Sequence, residues 1–139
     1  MSQYKEWKGS TPMREEELFS YIKDNYLHDL MLTGTYCAFD GVSVSGQILV
    51  ELKCRAKHYE DMMIERKKYR ALLSEASQLD CSVYYICSTP KGIFCWGLLT
   101  IKEPVWYENE TMPKSTEFID TSATSKAVGY LHTSTATTL

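Results

Sequence analysis

Asp40, Glu51 and Lys53 place two carboxylates and an ammonium group at a spacing that suits metal-assisted phosphodiester hydrolysis. Phe39-Asp40-Gly41 and Ile48-Leu49-Val50-Glu51-Leu52-Lys53 read as two neighbouring strands, the first ending in a carboxylate. Side chains alternate along a strand, so Glu51 and Lys53 share one face and Leu52 points to the other. Ile48, Val50, Leu52 and Cys54 form a continuous apolar face, which fixes the register and leaves Glu51 and Lys53 on the cleft side. Hard carboxylate oxygens suit Mg²⁺, which polarises a phosphate and lowers the pKa of a bound water. A lysine beside them orients that water or offsets developing charge.

The elements that must position these groups follow from the surrounding pattern. Residues 1–10 read as a loose arm. Thr11-Pro12 is a helix start, with Thr as N-cap and Pro at the first helical position. Glu15, Glu16 and Glu17 then occupy the first turns, where the macrodipole favours negative charge. The helix is expected to run to about Met31 and stop near Thr33-Gly34. Its apolar stripe is Leu18, Phe19, Ile22, Tyr26 and Leu30, and Glu15 alone of the three glutamates falls in the middle of it.

Residues 35–44 and 47–55 then form a hairpin turning at Ser45-Gly46. The pattern from about His58 to Leu79 predicts one long helix, with Met62, Tyr69, Leu73 and Ala76 on the buried face and His58 and Glu65 on the same stripe. Cys81 to Ser88 is a strong strand, residues 89–92 a turn, and Ile93 to Ile101 the return strand. Trp106-Tyr107 begins a further short strand. Residues 111–139 are rich in Ser and Thr, with Val128-Gly129-Tyr130-Leu131 as an apolar island. The expected division is an arm (1–10), a core (11–110) and a C-terminal segment of the same domain or tail (111–139). Helix, hairpin, helix, hairpin is an α/β or α+β order, a central sheet flanked by helices.

A chain of 139 residues suffices for one domain with its own core. Five cysteines form an odd set with no CxxC pair, which favours free thiols in a reducing cytoplasm over a zinc site. No hydrophobic run is long enough for a bilayer, and the N-terminus does not read as a signal peptide, so a cytoplasmic protein of a bacterial or phage-infected cell is expected. The net charge of −3 is unevenly spread. Residues 51–70 hold seven bases against four acids, a local +3 beside the candidate site, and the rest sums to −6. A basic patch on an acidic body suits a phosphate-bearing ligand; a solvated helix face is the plainer alternative for residues 66–70.

On Asp40, Glu51-Leu52-Lys53 and the helices on either side, residues 11–101 resemble the PD-(D/E)XK nuclease superfamily, whose fold is the restriction-endonuclease-like mixed sheet flanked by helices. The resemblance implies that Asp40 and Glu51 ligate Mg²⁺ (Mn²⁺ substituting), joined by the carbonyl of Leu52, and that Lys53 assists the attacking water. Many members add a glutamate from the first helix, for which Glu15 is the candidate. Members similar to phage exonucleases and RecB-type nucleases carry Gln-x-x-x-Tyr on the following helix. Glu65 and Tyr69 occupy those positions here, with glutamate in place of glutamine. The proline that often precedes the aspartate is replaced by Phe39.

The activity implied is a Mg²⁺-dependent deoxyribonuclease of phage or mobile-element DNA processing, recombination or repair. Arg55, Lys57, Arg66, Lys67 and Arg70 are expected to grip the DNA backbone. Lys53 is expected to orient the water rather than deprotonate it, because two carboxylates keep an ammonium charged. A homodimer is plausible for cutting two strands. Two rivals stand: a non-catalytic module that binds nucleic acid or protein, and a Holliday-junction resolvase. His58 reads as a helix-start residue, and Trp7, Trp96 and Trp106 as core or edge aromatics.

Overall fold

The computed structural model describes residues 12–34, 37–113 and 123–139. The expected arm at residues 1–10, with Trp7 and Thr11, lies outside the described residues. Among the described residues the first element is helix α1, Glu15–Asn25. Its N-cap is Arg14 rather than Thr11, and the carboxylate of Glu17 accepts hydrogen bonds from the Arg14 backbone N–H and Nε, both at 3.0 Å. The helix stops six residues short of Met31. Tyr26 and Leu27 both donate to the carbonyl of Ile22, which ends the ladder, and Leu30 returns to the core through a turn. Leu18, Tyr21 and Ile22 form the buried face, whereas Tyr26 points outward.

Strands β1 (Met31–Leu32), β2 (Gly41–Ser43) and β3 (Ile48–Cys54) follow. The hairpin is shorter than expected on its first side. Gly41 pairs with Val50 and Ser43 with Ile48, and the turn spans residues 44–47, with Gln47 at φ 52°. Residues 35–36 lie outside the described residues.

Residues 58–65 are not helical. Asp61–Glu65 is strand β4, and helix α2 begins only at Arg66 and runs to Leu79. Met62 and Ile64 are buried between their more exposed neighbours, a period of two that a short segment shares easily with a helical stripe. The tertiary partner decides the outcome: β4 pairs antiparallel with a strand nearly seventy positions away, Asp61 with His132 through Glu65 with Val128.

Strands β5 (Ser82–Thr89) and β6 (Gly92–Gly97) form the second hairpin, Gly92 turning the chain at φ +151°. Strands β7 (Tyr107–Pro113) and β8 (Ala123–His132) pair with each other, and β9 (Thr137–Thr138) adds to β6. The apolar island at 128–131 is thus the inner part of β8.

Among the described residues two sheets result, ordered β1-β2-β3-β5-β6-β9 and β4-β8-β7. Within the first, β3 and β5 run parallel and the other pairs antiparallel, so the central sheet is mixed. One face packs on α1 through Leu18, Ile22, Val50, Leu52, Ile86 and Ile93. The opposite face packs on α2 and the small sheet, joining Leu49, Val83, Tyr85 and Trp96 to Tyr69, Leu72, Met62, Ile64 and Leu131. The expected apolar face of β3 is therefore the α1 side. Among the described residues no helix is long and apolar enough to cross a membrane.

Candidate active site

Asp40 stands one residue before β2, where its backbone N–H donates to the carbonyl of Val50 at 2.8 Å. Its side chain turns back across the hairpin and accepts the Leu52 N–H on Oδ2 at 2.7 Å. A carboxylate held by a strand amide on the neighbouring strand has little freedom, so the hairpin itself aims Asp40 at residues 51–53. Glu51 and Lys53 lie on the α2 face of β3, opposite Tyr85 and Cys87 of β5. They differ sharply in surroundings: Glu51 is 3% exposed, whereas Lys53 reaches solvent.

Glu51 and Glu15 both lie within electrostatic reach of Asp40. Burial, then the Asp40 charge, pushes the Glu51 carboxyl up to about 7, against the pull of Lys68 and Lys53. Glu15 at the start of α1 is raised for the same reasons in the same order, with Lys53 opposing. Acids raised in this way are acids whose charges lack a sufficient counter-ion. Among the described residues no three His, Cys, Asp or Glu side chains close around a point as a complete ion cage. An open donor set of hard oxygens remains, Asp40 and Glu51 with Glu15 beside Asp40. That set fits a cation such as Mg²⁺, which keeps several waters and takes one or two carboxylates plus substrate phosphates.

Sequence reasoning missed Lys68. Its Nζ lies 3.3 Å from Glu51 Oε2 and donates to the carbonyl of Ala38 at 3.0 Å. Once the helix is known to begin at Arg66, Lys68, Leu72 and Ala76 form an i, i+4, i+8 stripe. With Leu72 and Ala76 buried, that phase turns Lys68 toward the sheet.

The other expected residues are dispersed. Glu65 faces Lys126 of β8 at 2.9 Å, and Tyr69 is buried with its ring 5.3 Å from Trp106. Arg55 donates to the carbonyl of Met63 at 3.3 Å and lies close enough to Tyr85 and Cys87 to act on their charge, so it ties β3 to β4 from within. Arg66 pairs with Glu108 at 2.9 Å, while Lys57, Lys67 and Arg70 are exposed. His58 is not at a helix start; its ring lies against Phe94, with Nδ1 2.9 Å from Thr89 Oγ1 and Nε2 3.2 Å from Glu60. Trp96 is wholly buried.

The solved structure of Hjc from Archaeoglobus fulgidus, a Holliday junction resolvase from an archaeal hyperthermophile, superposes with a TM-score of 0.55 over 86% of each chain. This chain has the Hjc fold. The two share 11% sequence identity, so the likeness concerns architecture. No family model and no curated protein matches the sequence. Hjc and this chain therefore share the mixed sheet with helices across nearly their whole lengths, and within that frame Asp40, Glu51 and Lys53 meet at one hairpin.

Proposed function

We propose that this chain is a divalent-metal-dependent nuclease of the PD-(D/E)XK superfamily that hydrolyses DNA phosphodiester bonds. The observation that carries the reading is the hairpin holding Asp40 against the Leu52 amide, with Glu51 buried beside it and Lys53 exposed on the same face. Asp40, Glu51 and the Leu52 carbonyl would hold Mg²⁺ or Mn²⁺, with Glu15 adding a ligand directly or through water. A divalent cation there supplies charge withdrawal from the scissile phosphate and a more acidic water. Lys53, free at the surface, orients the attacking water and offsets the charge that builds on the phosphate. Lys57, Lys67 and Arg70 are available for the DNA backbone. Arg55 is committed to the Met63 carbonyl, and Arg66 to Glu108. Glu65 and Tyr69 serve the packing of α2 on the small sheet, leaving the metal to Asp40, Glu51 and Glu15.

The likeness to Hjc across 86% of both chains favours branched DNA as the substrate, and hence a dimer presenting two sites to a four-way junction. The test is incubation of linear, nicked, single-stranded and four-way-junction DNA with Mg²⁺ or Mn²⁺, with EDTA and Lys53→Ala controls. Metal-dependent cutting that the substitution abolishes is the expected result. Junction cutting without linear cutting identifies a resolvase, and binding without cutting on any substrate overturns the nuclease reading.

A further inference from the structure

Lys68 supports a second conclusion, which rests on the reading of Asp40 and Glu51 as the metal site. We propose that Lys68 is a positioning residue that takes the cation's place on Glu51 in the metal-free protein, so that metal binding is an exchange of one cation for another.

Three observations lead there. Glu51 is 3% exposed with Asp40 as its neighbour, and a carboxylate so buried needs a positive partner. Lys68 supplies it: among the described residues, the one ion pair of Glu51 is with Lys68 at 3.3 Å, while Lys53 on the same strand is turned to solvent. The ammonium is also tethered to the carbonyl of Ala38, two residues before Asp40, at 3.0 Å. One cationic group thus bridges the two segments that carry the metal ligands, Ala38–Asp40 and β3. It holds them together when no ion is present to do so.

The lysine is also suited to leave. Its side chain is one-third exposed, and a long flexible stem lets an ammonium regain water by small rotations. A divalent ion on the Glu51 oxygens would repel the ammonium at that distance, so the two compete for one carboxylate. Removing the competitor therefore favours the ion. For a partly exposed pair the gain in affinity should be about twofold to fivefold. A lysine that merely shaped the site would give the opposite sign, since its loss would loosen the ligands and weaken binding.

The test is calorimetric titration of Mn²⁺ into the full chain, for the wild type, Lys68→Met, Lys68→Arg and Glu51→Gln. Lys68→Met is expected to bind Mn²⁺ about twofold to fivefold more tightly than the wild type. Lys68→Arg, which keeps the charge, should stay near the wild type, and Glu51→Gln should lose the binding. Unchanged or weaker binding in Lys68→Met, with wild-type binding that Glu51→Gln abolishes, overturns the exchange and leaves the nuclease reading standing. An equal gain in Lys68→Arg also overturns it, because charge would not be the cause. Wild-type protein that takes up no Mn²⁺ overturns both readings.

Discussion

Glu51→Gln in chelator-treated protein removes a buried charge without changing the size of the side chain, and the structure gives the effect a size. Burial and Asp40 raise the Glu51 carboxyl from 4.5 to about 7. A group whose folded pKa is raised is an acid that the folded state prefers to keep protonated. Stability is therefore unaffected below pH 4.5, falls as the pH rises toward 7, and stays low above it. At about 1.4 kcal/mol per pH unit the full loss is about 3 kcal/mol, most of it between pH 5 and 8. Glutamine cannot ionise, so the variant escapes this loss, and Lys68, left without its partner, can rehydrate.

In EDTA the wild type should thus lose about 2–3 kcal/mol between pH 5 and 8 relative to Glu51→Gln, roughly 8 °C in Tm for a domain of this size. Urea unfolding followed by circular dichroism at pH 5, 6, 7 and 8 measures it. Saturating Mg²⁺ should close the gap at pH 8 by stabilising the wild type alone. Parallel pH profiles for the two proteins would refute the claim that Glu51 is a buried acid lacking a sufficient counter-ion.

Other substitutions separate packing from chemistry. Arg55→Met should lower stability by about 1–3 kcal/mol through the lost bond to the Met63 carbonyl, while leaving the salt dependence of DNA binding unchanged. Lys57→Ala with Lys67→Ala and Arg70→Ala should do the reverse, flattening the slope of log affinity against log salt by about 0.9 for each phosphate no longer neutralised, as read from filter binding. Gly129→Ala would bring its Cβ to 2.7 Å from Pro104 and 2.9 Å from Trp106. Overpacking there should cost about 1–3 kcal/mol in denaturant unfolding. Trp96→Ala should cost about 3–5 kcal/mol in the same assay, because the ring fills the core and its Nε1 donates to the His132 carbonyl and Thr135.

What could be read from the chain was what is local in it. The alternation of Ile48 to Cys54 fixed both the strand and the face of Glu51, and Asp40 fell in reach because a hairpin makes neighbours of residues eleven apart. The boundary of α2 was hidden, since Asp61 to Glu65 fits both periods and its partner strand lies beyond residue 123. That error carried others with it. A helix begun at residue 58 put Glu65 in the site and left Lys68 out of it. Arg55 looked like a surface base because nothing local shows that β4 will close over it. Of the small sheet only the start of β7 at Trp106-Tyr107 and the apolar island of β8 were legible; its pairing depends on distant contacts and not on propensity.

The small sheet has a consequence for how the chain reaches this structure. Strand β4 precedes α2, but its partner β8 is about seventy residues further on, and Trp96 completes its hydrogen bonds only with residues 132–135. Loop closure over such a span must come before the contacts that reward it, which slows folding. A nascent chain exposed only as far as residue 113 could form the β2–β3 and β5–β6 hairpins and α2. It would carry Met62 and Ile64 on an unpaired edge, where a second unfinished copy could bind. Until residues 128–132 arrive, that edge stays open, so the interval before β8 docks is when this chain is most exposed to self-association.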